Sequence, residues 1–128
     1  MSYYLYHDLS VTDITTQKDA DRIASRLEEA GFEDLSIYDN CEVYSGDKTT
    51  YEVDAGIYEG HIDVDKILVS LSRQTIGALF IDTVTDHEEI GGMWRTYIKN
   101  GKSVSVLPEI IWPEFDDDML NKEQELPF

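Results

Sequence analysis

The residues of this chain that could do chemistry are mostly carboxylates. Asp and Glu number 27 against 10 Lys and Arg, a net charge of −17 over 128 residues. A magnitude of roughly 2–8 is usual for a small soluble domain. Self-repulsion at this level opposes folding, so a compensating use is expected. The most ordered acids are Glu52 and Asp54, which share one face of an alternating strand about 6.6 Å apart. Glu42 can lie across from them if the preceding strand pairs in a hairpin. Tyr44 and Tyr58, on the same polar side, add apolar anchors that charge alone lacks. A nucleic-acid backbone is also a regular array of negative charge. Such a face suits a Lys/Arg groove, and the same acidity repels nucleic acid itself.

Other chemistry finds weaker support. His7, His61 and His87 each neighbour acids (Asp8, Asp63, Glu88 and Glu89), but none has the spacing of a known metal site. Asp82, Asp86 and Glu88 do not meet the calcium-loop pattern, and Asp116, Asp117 and Asp118 read as a solvated run. Gly91-Gly92 lacks the Lys-Ser/Thr of a phosphate loop. Cys41 has no basic neighbour to lower its pKa and reads as a buried structural thiol. No catalytic motif emerges, so a non-enzymatic protein without cofactor is expected. One cysteine excludes an internal disulfide, which fits a reducing compartment. The N-terminus lacks a signal-peptide pattern, and no apolar run approaches the roughly 20 residues of a membrane helix. A cytoplasmic protein that makes no membrane contact is the expectation.

The elements that position these acids follow from periodicity. Tyr3, Leu5, Leu9 and Val11 alternate as a first strand. Ala20, Ile23, Ala24, Leu27 and Ala30 make one face of a helix over 18–30, with Thr15 or Thr16 to cap it and Gly31 to end it. Strands follow at 35–45, with a break expected near Asp39-Asn40, and at 49–59, joined by a turn at Ser45–Lys48. Asp63 or Asp65 caps a helix over 63–74 that Gly77 closes. Strands at 78–85 and 93–99 complete the set, and Asn100-Gly101 is a turn signal. Residues 103–107 either extend the last strand or form a short new one.

This order is β-α-β-β-α-β with one strand added. It implies an α+β fold with two helices on one face of a mostly antiparallel four- or five-stranded sheet, and split-βαβ, ferredoxin-like topology. Residues 1–108 form one domain. Residues 109–128 are an acidic, proline-containing tail, partly packed on the domain, with Trp112 as the pin and disorder from about Asn121. A strand at 1–11 or 93–106 could pair across a dimer.

Charge is unevenly spread. Residues 31–66 hold ten acids against two bases, and 109–128 hold seven against one, whereas 67–108 are balanced. The candidate partner-binding residues are therefore Glu42, Tyr44, Asp47, Glu52, Asp54, Tyr58, Glu59, Asp63 and Asp65, with Glu114, Asp116, Asp117 and Asp118 in the tail.

Small size, strong acidity, a single domain and the lack of an enzyme motif make the chain similar in character to the nucleic-acid-mimic inhibitors of phage and mobile elements, the anti-CRISPR and antirestriction classes. The stretches Ala78-Leu79-Phe80-Ile81 through Glu88-Glu89, Trp94-Arg95-Thr96-Tyr97 and Asn100-Gly101-Lys102 also resemble small ferredoxin-like proteins of phage and plasmid genomes. The first likeness implies a defence nuclease or its surveillance complex as partner and assigns no residue a role. An immunity protein against a basic nuclease toxin would use the same physics. A small-molecule or metal-binding domain and a plainly halophilic domain are the alternatives from other classes.

Overall fold

The computed structural model describes residues 5–41, 49–60, 62–88, 92–109 and 112–122. The chain runs β1 (Leu5–Ile14), α1 (Gln17–Ala30), β2 (Glu33–Cys41), β3 (Thr49–Tyr58), α2 (Val64–Gln74), β4 (Leu79–Asp86), β5 (Met93–Lys99), β6 (Lys102–Val106) and α3 (Asp117–Lys122). The strands form one antiparallel sheet in the order β2-β3-β1-β4-β5-β6.

The α+β class matches the expectation, but the sheet has six strands rather than four or five. Asn100 and Gly101 both adopt positive φ, 51° and 78°. They close a two-residue hairpin in which Lys99 pairs with Lys102, because turns of this hand match the twist of the strands they join. Residues 102–106 are thereby reversed onto β5 as a strand of their own.

Both long helices start as their sequences suggest. The Thr16 hydroxyl accepts from the Asp19 amide at 3.1 Å, and the Asp63 carboxylate accepts from the Lys66 amide at 3.1 Å. Gly31, at φ 105°, ends α1. α2 instead stops at Gln74, before Gly77. The Gly77 amide donates to the Asn100 side chain at 2.9 Å, and the Gly101 amide donates to the Ser72 hydroxyl at 2.9 Å. The β5–β6 turn is thus tied to the end of α2. Arg22 spans from α1 to Thr75 and to the Gln74 carbonyl, a cation at a helix C-terminus.

β2 is irregular at its start rather than near Asp39-Asn40. Its register shifts between Glu33 and Ser36, where Asp34 has φ 56°, while Asp39 and Asn40 pair regularly with Tyr51 and Thr50. Aspartate tolerates the left-handed region, so the bulge settles there. The turn expected at Ser45–Lys48 lies outside the described residues, as do residues 123–128.

α1 and α2 cover the same face of the sheet. Leu9, Val11, Ile14, Val53, Ala55, Ile57, Phe80 and Ile98 meet Ala20, Ile23, Leu27, Leu68 and Leu71 in one core. α1 lies over β1–β3 and α2 over β4–β6. Neither packs on the opposite face, which is open among the described residues. No described helix is long and apolar enough to cross a membrane.

Candidate acidic binding face

Alternation along β1, β2 and β3 sends every second side chain to the open face. Because Val53, Ala55 and Ile57 are buried under the helices, Glu52, Asp54, Gly56 and Tyr58 must face the other way. The register then assembles a grid. Tyr38 is opposite Glu52; Ser36 and Ser10 flank Asp54; Glu33 and Asp8 flank Gly56; and Tyr6 is opposite Tyr58. Neighbouring strands are about 4.8 Å apart, so Asp8, Glu33, Glu52 and Asp54 share one patch.

Gly56 has a specific use in this patch. A Cβ at this position would overlap the Tyr6 hydroxyl. Without it, the Tyr6 ring lies across β3 and meets Tyr58 edge-on, with centroids 4.8 Å apart. Tyr58 is 56% exposed and also contacts His87. Burial pushes the Tyr6 phenol up, and Asp8, Asp34, Tyr58 and Glu33 push in the same direction.

The carboxylates here lack cationic partners among the described residues. Glu52 is raised above the ordinary carboxylate range by partial burial, then by its hydrogen bond to Asp54 and the charge of Asp54. The Oδ1 atom of Asp54 is buried and has no hydrogen-bond partner among the described residues. Two carboxylates crowded together in this way hold a proton between them or take a cation from outside.

Other expected site residues belong elsewhere. Glu59 and Asp65 lie near a pair on the covered face. There the His7 Nδ1–H donates to Asp82 Oδ2 at 2.6 Å, with His7 3% and Asp82 0% exposed. His7 Nε2 is 3.4 Å from Glu59 Oε1, within ion-pair range but not aligned for a hydrogen bond. Burial alone would lower the His7 pKa. The hydrogen bond to Asp82 and the charges of Asp82, Glu59 and Asp65 outweigh it and hold the imidazole above its ordinary value. Burial and Asp82 raise Asp65. Asp63 serves as the α2 cap.

Sequence reasoning set His7 beside Asp8, and Asp82 beside Asp86 and Glu88. The structure joins them across 75 residues. A signal existed: His7 is in phase with Leu9 and Val11, and Asp82 with Phe80 and Val84, so both had to point inward. Among the described residues no serine, threonine or cysteine is bonded to His7, and no group of three or more His, Cys, Asp or Glu is arranged to hold a metal. The pair has the character of a structural ion pair.

Glu42, Tyr44, Asp47 and His61 lie outside the described residues. In the tail, Asp116 caps α3, accepting from the Asp118 amide at 3.0 Å. Glu114, Asp116, Asp117 and Asp118 are exposed. Trp112 is 85% exposed rather than pinned on the domain. Leu107 and Trp112 each precede a proline, which favours extended backbone at both residues.

No family model and no curated protein matches the chain. Among solved structures it is similar to LarC2, the C-terminal domain of a cyclometallase involved in the synthesis of the NPN cofactor of lactate racemase, in its apo form. The identity is 14% and the TM-score 0.39, over 96% of this chain and 88% of that one. A likeness this distant carries no functional argument.

Proposed function

We propose that the open face over β2, β3 and β1 binds a Lys/Arg-rich nucleic-acid-binding surface of a partner protein, taking the place of the nucleic acid. The partner is a defence nuclease or its complex, and the protein acts by occupancy rather than by catalysis. The observation that carries this reading is the Glu52–Asp54 couple, which has no cationic partner among the described residues, on a sheet face that α1 and α2 leave uncovered. Guanidinium or ammonium groups from a partner would satisfy Asp54 Oδ1 and relieve the repulsion. Tyr6, Tyr58 and Tyr38 supply rigid contact area around the charges. Association is then fast at low salt and weakened by salt.

On the same reading, β1-α1-β2-β3-α2-β4 is a ferredoxin-like unit, supported by its strand order 2-3-1-4, with the β5–β6 hairpin as an extension. The reading does not depend on the tail acids. The single cysteine supports a cytoplasmic setting.

The test is capture with this protein as bait at ~0.1 M and ~0.5 M salt, where exposed pairs are largely screened at the higher value. A captured nucleic-acid-binding protein should be displaced by salt and by DNA or RNA, and lost with Glu52→Lys/Asp54→Lys. If that double variant captures the partner unchanged, the face is not the binding surface. If the captured protein is a toxin nuclease, the role becomes that of an immunity protein.

A further inference from the structure

The other half of the open face has the opposite character. Residues 93–108 contain Arg95, Lys99 and Lys102 and no acid, and the ten residues that follow contain five acids and no base. On β4, β5 and β6 the register places Thr83, Arg95 and Val106 in one row and sets Tyr97 opposite Val104. A groove of about 270 Å³ opens here, lined by Thr83, Met93, Arg95, Tyr97, Val106 and Leu107 among others. Val104 is 57% exposed and Leu107 76%, on a hairpin that forms the edge of the sheet.

Arg95 is fixed in this groove. Its Nε–H donates to the Thr83 hydroxyl at 3.0 Å, and its guanidinium carbon lies 6.0 Å from the centre of the Tyr97 ring. Among the described residues it has no carboxylate partner, although acids outnumber bases by 27 to 10. The tail offers the matching chemistry. Trp112 and Phe115 are 85% and 68% exposed, and Glu114, Asp116, Asp117 and Asp118 surround them. Each aromatic can bury about 150–250 Å² on docking.

We propose that this groove binds the Trp112–Asp118 segment of a second copy of the chain. Trp112 or Phe115 fills the apolar floor beside Val106 and Leu107, and a tail carboxylate pairs with Arg95. A second copy is favoured over the chain's own tail because Leu107 and Pro108 already form the wall of the groove. In this chain Trp112 is 85% exposed and does not line the groove. Reciprocal exchange of tails closes a two-fold dimer, with like contacts on both sides. This surface shares no residue with the Glu52–Asp54 face, so either assignment can fail without the other.

The test uses full-length chains in sedimentation over a concentration series. Wild type should associate. Arg95→Glu, with a disabled groove, and Trp112→Ala/Phe115→Ala, with a disabled tail, should each weaken association by about tenfold or more, as loss of a buried anchor does. Arg95→Gln serves in place of Arg95→Glu if the charge reversal disturbs folding, as judged by circular dichroism. An equimolar mixture of groove and tail variants should associate more tightly than either alone, because one intact tail meets one intact groove. A wild type that stays monomeric overturns the proposal, and so do variants that associate like wild type. A mixture no better than its components excludes exchange between copies.

Discussion

Carboxylates lie on both faces of the sheet, and the two faces handle them differently. Under the helices, Asp82 is fully buried but accepts from His7 at 2.6 Å, with Glu59 and Asp65 near the same imidazole. On the open face, Glu52 and Asp54 have each other and no described cation, and Asp54 Oδ1 has no partner among the described residues. The covered Asp82 takes its counter-charge from His7, within the chain. The open cluster has no counter-charge among the described residues, so its compensation there comes from protons, salt or a partner. Number of acids does not distinguish a structural cluster from an interaction surface here; the source of the counter-charge does.

The largest effect should come from breaking the covered pair. Asp82→Ala leaves a buried imidazole without its partner and should cost about 3–5 kcal/mol, read from urea unfolding. Replacing both members, with His7→Phe and Asp82→Leu, should recover most of that loss, since a well-packed apolar pair often equals a buried ion pair. If Asp82→Ala costs no more than a surface substitution, the contrast between the faces collapses.

Substituting Gly56 should come next. Gly56→Ala displaces the Tyr6 ring from β3 and should cost about 1–3 kcal/mol, as overpacking does. Tyr6 can swing outward, so the protein should still fold. Combining Gly56→Ala with Tyr6→Ala should give much less than the sum of the two costs, a coupling measurable by a double-mutant cycle.

A third test is pH. Folding raises the His7 pKa, so its stabilisation is full below the unfolded value of about 6.5 and is lost as pH rises through the higher folded value. Asp65 has the same sign: its folded pKa is also raised, so its contribution at low pH is lost as pH rises through that value. The melting temperature should therefore fall as pH climbs above about 6.5, and His7→Phe should flatten that limb. A rise over the same range in wild type would mean that the imidazole is held neutral.

The smallest stability change is expected on the open face. Glu52→Gln/Asp54→Asn should alter stability by only a few tenths of a kcal/mol, and in the stabilising direction, because the repulsion between two half-buried carboxylates on one strand is relieved. The same change should markedly weaken capture of a basic partner. Loss of stability without loss of binding would reverse the assignment of the two faces.

Much of this was legible in residue order. The caps at Thr16 and Asp63, the stop at Gly31, the hairpin at Asn100-Gly101, and the outward phase of Glu52 and Asp54 all depend on a residue and its near neighbours. Glu33-Asp34 and Asp39-Asn40 both suit a local break, and only pairing with β3 selects the first. The cost of an exposed tryptophan predicts that Trp112 pins the tail, yet Trp112 is 85% exposed.

What the sequence determined by itself is thus the period and ends of the elements, since φ/ψ preference, capping and alternation act over a few residues. Tertiary structure decided which elements became neighbours. It set β1 between β3 and β4, and so brought His7 to Asp82, Tyr6 over Gly56, and Asp8 and Glu33 to either side of that glycine. Those pairings join positions up to 75 residues apart. They arise from closing the sheet around one core, and a local pattern contains no term for that.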